Sequence, residues 1–379
     1  LHMKMFENKV GLVLPGGGAR GAYQIGVLKG INEILPDKVK NPFSVISGTS
    51  VGAINASVIA SKADSFIDAV DLLNHIWGNF KTNQVYKTDN LTMFKSSLHW
   101  LVTLVSGGAL VKNPKSLLNN SPLRTLLMES INLDHIRSNI DEGNLEAFAI
   151  TAAGYSSRKS ITFFQSNKKN INWEKFRRKG IESRVTTDHL MASVALPLIF
   201  PAVKIDNEFF GDGAMRHATP LSPAIRLGAE KLLIITTDNN KKNPDTDERD
   251  HPSIGEIGGY MLDALFSSGL LSDLERLDRI NQIIKHSGNG PINTASKQMK
   301  HLDYCIISPS KDINLIAEEH FNEIPYSIKL LLRGLGLRHQ SRSELLSFLL
   351  FESSFTQELI KLGFQDAIEH KQHIKNIFQ

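Results

Sequence analysis

Two glycine motifs one supersecondary unit apart, near the start of the chain, constrain its fold more than any other feature. The first reads Gly16-Gly17-Gly18-Ala19-Arg20-Gly21 and the second Gly48-Thr49-Ser50-Val51-Gly52. Short apolar runs, residues 10–14 and 43–47, precede them, and helix-forming stretches follow at 21–35 and 53–61. The first stretch places Tyr23, Ile25, Val27, Leu28 and Ile31 on an apolar face. A repeated strand–turn–helix order indicates a parallel sheet with helices on its faces. Further strands are expected at 146–152, 160–164, 204–205 with 208–210, 231–236 and 304–307.

Two helical stretches fall outside that sheet. Residues 93–111 carry Phe94, Leu98, Leu101, Val102 and Val105, which suits a packing helix or a lid with Trp100 at a membrane interface. The tail, 324–378, is rich in leucine and basic residues. Its apolar face has three candidate partners: the core, a membrane or a second subunit. Between sheet and tail, residues 239–252 are polar, charged and proline-punctuated, as in a surface loop or disordered link.

A chain of 379 residues can bury one large core or two modest ones. Its 41% hydrophobic and 22% charged residues are ordinary for a soluble globular protein. The net charge of +4 is too small to argue for a nucleic-acid partner, though it tolerates anionic lipid surfaces. A single cysteine, Cys305, excludes an internal disulfide and suits a reducing compartment, where it reads as a small buried hydrophobe. The opening Leu1-His2-Met3 resembles a cloning remnant, and with only a few residues before the first strand no signal peptide is expected. The longest apolar run, 100–111, is short of the roughly twenty residues a bilayer span needs. A soluble, cytoplasmic protein is expected; peripheral membrane association and export without a cleavable signal stay open. There is no H-E-x-x-H and no cysteine pair, so neither a metal nor another cofactor is expected.

The glycine turn at Gly16–Gly18 exposes backbone N–H groups at the positive end of a helix, a setting for an anion. A dinucleotide pyrophosphate would call for an acidic residue about twenty positions on, closing the second strand. That strand instead ends in Ser47-Gly48-Thr49-Ser50. The alternative anion is the oxyanion of an acyl-transfer intermediate, with Ser50 on a nucleophile elbow beside the turn. Ser50 follows only the second strand, which argues against the usual α/β-hydrolase order of serine, acid and histidine. A base is nevertheless required. Asp212, in Asp212-Gly213-Ala214, follows an apolar hairpin over 203–210, and His217 lies nearby. An aspartate of ordinary pKa, about 4, is a weak base toward serine, but burial raises it. Asp-Gly is also an ordinary turn signal, so the residue alone decides little.

Taken in order, four motifs resemble the patatin-like phospholipase family. They are Gly16–Gly21, Gly48–Gly52, the block Ala192-Ser193-Val194-Ala195-Leu196-Pro197-Leu198-Ile199-Phe200-Pro201, and Asp212–Ala214. Residues 220–225 and 227–229 continue the pattern, while 260–281 and 362–367 resemble a bacterial branch more loosely. The resemblance implies a three-layer α/β/α sandwich with a mainly parallel sheet, and a helical C-terminal extension. It places a patatin-like core at 9–237, a loop, helix and further core strand at 238–310, and the extension at 311–379. It implies a Ser50–Asp212 dyad, with backbone donors from Gly16, Gly17 and Gly18 forming the oxyanion hole. Arg20 would contact a lipid phosphate or brace the turn. The 192–201 block would shape the loop that presents the dyad. Pro15 departs from the family's usual serine, aspartate or glycine without disturbing backbone donors. The implied activity is that of a phospholipase A or lysophospholipase cleaving carboxyl esters, with transient contact to a membrane surface. Acyl transfer to a lipid acceptor by the same dyad is the alternative. Malonyl-type acyltransferases place a histidine before the serine, where this chain has Thr49. A lipid-binding protein without catalysis is a third reading, which the intact dyad disfavours.

Overall fold

In a computed structural model, residues 9–36, 39–89, 99, 115–169, 171–216, 219–238, 251–286, 292–294, 297–337 and 344–379 are described. The expected stretch 93–111, except residue 99, lies outside the described residues, as do 239–250 of the polar loop and His217. No helix among the described residues is long and apolar enough to cross a membrane.

The first two strands, β1 (Val10–Leu14) and β2 (Val45–Thr49), are fully buried and pair in parallel with Leu14 opposite Gly48. Each is followed by its helix, α1 (Ala22–Ile34) and α2 (Val51–Ser61), and α3 (Phe66–Gly78) packs beside both. The chain continues through β3 (Ala147–Gly154), β4 (Ser160–Ser166), β5 (Trp173–Lys175) and β6 (Arg178–Glu182) to the short helix α4 (Thr187–Ser193). After it come β7 (Val203–Ile205), β8 (Glu208–Asp212), β9 (Lys231–Ile235) and the long helix α5 (Ile254–His286). A hairpin of β10 (Ile292–Thr294) and β11 (Lys297–Met299) leads to β12 (Asp303–Ile307). Then come α6 (Ile313–Glu319), α7 (Glu344–Leu349) and α8 (Ser353–Glu369).

One sheet runs β12-β9-β1-β2-β3-β4-β6-β5, with the β7–β8 hairpin joined through β8 to β3. From β12 to β3 every pairing is parallel; β3 with β4, and β3 with β8, are antiparallel. The parallel stretch has two buried faces, which is why its strands read as continuous apolar runs. Leu12, Leu14 and Ile46 join one hydrophobic cluster with α1, α2 and α3, whereas Val13 and Val45 face a second with Leu270, Leu274 and Leu277 of α5. The two-residue alternation of strand side chains thus produces three layers, an α/β/α sandwich with a mainly parallel sheet.

The helical C-terminal region is present, and α8 packs on α1 with Phe355 and Leu359 fully buried. Across that contact the Tyr23 hydroxyl donates to Asp366 at 2.9 Å. β5 and β6 had no expected counterpart. They are short and rich in charge (Glu174, Lys175, Arg178, Lys179, Glu182), as befits the edge of a sheet, so hydrophobic periodicity does not reveal them.

Candidate active site

Ser50 sits between the last residue of β2 and the first of α2, with φ 54° and ψ −130°. Non-glycine residues rarely adopt that backbone, and they keep it only where the surroundings over-determine it. The surroundings here do so. A β-carbon on Gly52 would run into the Leu14 carbonyl of β1, so the elbow closes against the neighbouring strand only with glycine there. The Ser50 amide donates to Ser193 Oγ at 2.9 Å.

Asp212 ends β8 and lies opposite Ala152 of β3, one strand beyond the serine's own. Ser50 Oγ donates to Asp212 Oδ2 at 2.6 Å, and the Ala214 amide donates to Oδ1 at 2.9 Å. Asp212 is fully buried and Ser50 is 3% exposed. Burial pushes the Asp212 carboxyl up to about 7, against the opposing pull of the hydrogen bonds from Ser50 and Ala214. A carboxylate in that range is a far better proton acceptor at neutral pH than a solvated aspartate.

The glycine turn lies where the parallel pairing of β1 and β2 puts it. A β-carbon on Gly16 would come within 2.9 Å of Ser50 Cβ. Gly18 has φ 56° and faces the Phe348 carbonyl so closely that no side chain fits. Among the described residues no hydrogen-bond acceptor takes the amides of Gly17 or Gly18, whereas the Gly16 and Gly17 carbonyls are held by Thr237 Oγ1 and the Arg20 amide. Arg20 itself is buried. Its guanidinium donates to Ser347 Oγ at 2.7 Å, Asn314 Oδ1 at 2.9 Å and Asp263 Oδ1 at 3.0 Å, and lies 3.9 Å from the Phe348 ring centroid. Of the two roles open to Arg20, this geometry is that of a brace.

An apolar cavity with an empty volume of about 700 Å³ opens off Ser50. Ile54, Trp77, Leu127, Phe348 and Phe351 are among its walls, and Ser50 and Ser130 bring the only hydroxyl groups among the described lining residues. Phe266 of α5 covers Gly16 and stacks on Phe348 with ring centroids 5.3 Å apart. The arrangement offers a polarised hydroxyl, a buried carboxyl, two unengaged amides and an apolar slot, the parts that acyl transfer from an ester requires.

Sequence reasoning named Ser50, Asp212, Gly16, Gly17, Gly18 and Arg20, and all of them meet in this region. It missed the individual parts played by Ser193, Phe266 and Phe348. Ser193 stood inside a motif already noticed; nothing around Phe266 or Phe348 in sequence distinguishes them from core aromatics.

Fold and site together define a class: an α/β/α sandwich carrying a serine–aspartate pair at the carboxyl edge of its parallel strands. The patatin-like phospholipase family model matches residues 12–225, more than half of the chain, and the protein belongs to that family. The chain is 44% identical over 64 residues to the lysophospholipase nte1 of Aspergillus terreus, a match spanning 17% of this chain and 4% of that protein. It is 49% identical over 49 residues to the cUMP-AMP-activated phospholipase of Escherichia coli, 13% of this chain and 15% of that one. These alignments thus cover a small part of either relative's length. Among solved structures, human GIVD cytosolic phospholipase A2 aligns over 100% of this chain and 61% of its own, with a TM-score of 0.48 and 10% identity. VipD from Legionella pneumophila aligns over 97% and 67%, with a TM-score of 0.39 and 14% identity.

Proposed function

We propose that the protein is a serine-dependent lipid acyl hydrolase of the phospholipase A or lysophospholipase type. The observation that carries this reading is the 2.6 Å hydrogen bond from Ser50 Oγ to a buried aspartate, at the mouth of an apolar cavity. Asp212 accepts the hydroxyl proton as Ser50 Oγ bonds to the ester carbonyl carbon. The carbonyl oxygen gathers the negative charge, which the Gly17 and Gly18 amides meet; donors of this kind lower such a barrier by about 3–4 kcal/mol. Asp212 returns the proton to the departing alcohol. Water, losing a proton to Asp212, then adds to the acyl carbon; the bond to Ser50 Oγ breaks, that oxygen takes the proton back from Asp212, and the fatty acid leaves.

The cavity supports an acyl chain as the group held beside Ser50. Its described walls are almost wholly aliphatic and aromatic and offer almost nothing to a polar ligand. Membership of a phospholipase family supports glycerophospholipids or lysophospholipids as substrates. Such substrates reside in membranes, so turnover involves transient contact with a lipid surface.

The test is fatty-acid release from mixed phospholipid vesicles and from short acyl esters by the wild-type protein and Ser50→Ala. We expect release by wild type and a loss of at least about 10⁴-fold in the variant. Equal activity of the two proteins would sink the assignment. A product in which the acyl group appears on an added lysolipid, rather than as free acid, would convert it to acyl transfer.

A further inference from the structure

We infer that Ser193 is a positioning residue that holds the strained Ser50 elbow at hydrogen-bonding distance from Asp212. The inference rests on Ser50 being the nucleophile.

The Ser193 hydroxyl stands at the junction of two hydrogen bonds. It accepts the Ser50 amide at 2.9 Å and donates to the Thr151 carbonyl of β3 at 2.7 Å. A hydroxyl has one proton to give, and an amide can only donate, so the direction of both bonds is determined. The chain Ser50 N–H, Ser193 O–H, Thr151 C=O therefore ties the elbow across to the strand next to its own. Ser193 is fully buried. Loss of the hydroxyl would leave the buried Ser50 amide without an acceptor, at a residue whose φ of 54° needs external support.

Two residues further on, the Ala195 carbonyl accepts the Asp212 amide at 2.8 Å. One short stretch of chain thus grips both members of the pair by their main chains, the serine through Ser193 Oγ and the aspartate through Ala195 O. It sets their separation independently of the 2.6 Å bond between them. The stretch is itself anchored, as Ser193 ends α4 and the Val194 amide bonds to the Leu190 carbonyl. There is a chemical consequence as well. In serine hydrolases whose nucleophile donates its own amide to the oxyanion, that amide must be free. Here it is engaged, and charge stabilisation passes to the glycine turn.

The test uses the full chain and a fluorophosphonate, a serine-reactive probe that counts competent sites, together with fatty-acid release from phospholipid vesicles. Turnover is expressed per titrated site. Wild type should be labelled and Ser50→Ala should not; an unlabelled wild type overturns the reading of Ser50 and this inference with it. For Ser193→Ala we expect turnover per site to fall about 100-fold with KM within about twofold, the cost of misplacing a reacting group by about an ångström. Ser193→Cys, close in shape but a weaker acceptor, should fall between the two. A purely structural role would reduce the number of titratable sites and leave turnover per site at the wild-type value. That result in either variant overturns the inference while Ser50 labelling stands. Should Ser193→Ala not accumulate as folded protein, the cysteine variant decides alone by the same criterion.

Discussion

Ser50, Asp212, the Gly16–Gly18 turn and Ser193 all come from the span that matches the family, residues 12–225, whereas part of the cover over them comes from beyond it. Phe266 closes on Gly16, Phe348 and Phe351 wall the cavity, and Asp263, Asn314 and Ser347 hold Arg20. On the proposed reading, the first region supplies groups that react or touch reacting atoms. The second completes an enclosure begun by Ile54, Trp77 and Leu127 of the first, and holds the turn through Arg20. The difference matters because the parts do different physical work. Reacting groups need a particular functional group at one place, which few residues can satisfy. Enclosure needs apolar volume and a handful of acceptors, which many residues can supply.

The contrast predicts opposite responses to substitution. Within the first region, Asp212→Asn should lower turnover by about 10⁴-fold, because the amide cannot accept the Ser50 proton. It should also stabilise the protein above neutral pH. The folded carboxyl titrates near 7, above its ordinary 3.8, so the neutral form is the one favoured by folding. The stability contributed by Asp212 is therefore fully present below 3.8 and is lost as pH rises to and through about 7. Asparagine has no charge to bury, so its advantage over wild type should grow across that window toward an upper limit of about 4 kcal/mol. Thermal melts at pH 4, 6 and 8 check the sign. In the wild type the same carboxyl should give kcat/KM a limb that rises about tenfold per pH unit below 7. A flat profile would separate Asp212 from proton transfer.

At the seam between the regions, Arg20→Met should cost about 1–3 kcal/mol in denaturant unfolding, since it removes the cation beside Asp263 and the guanidinium bonds to Ser347 and Asn314, which keep their bond to each other. Arg20→Lys keeps the charge but not the three-way fork and should recover only part of that. Unchanged stability with altered head-group preference would instead make Arg20 a lipid contact and blur the division. The smallest effect belongs to the second region alone. Phe351→Ala enlarges the cavity wall and should move acyl-chain preference toward longer or bulkier chains by several-fold, with turnover on short esters nearly unchanged. A drop on all substrates alike would show that the wall also positions the reacting groups.

How much was legible follows the same line. The elbow could be read because Gly48, Ser50 and Gly52 keep the motif's spacing between an apolar run and a helix, although what excludes a side chain at Gly52 is the Leu14 carbonyl of the next strand; the parallel sheet could be read because β1 and β2 are short apolar runs followed at once by helices. Asp212 was harder. Asp-Gly is a common turn, and only the company of the other motifs marked it. The edge strands β5 and β6 escaped because charge masks their periodicity. Ser193 was seen as part of a block with a shaping role, yet its hydrogen bond to an amide 143 positions earlier has no local signature.

The sequence alone thus determined the class of fold, the strained serine and the candidates for its partners, because each is written in residues whose neighbours in the chain are also their neighbours in space. The tertiary structure decided that Asp212 lies 2.6 Å from Ser50, that its carboxyl is held near 7, and that Arg20 faces inward onto three acceptors. Distance, burial and the local dielectric arise where segments far apart in sequence are packed together, and no spacing along the chain encodes them.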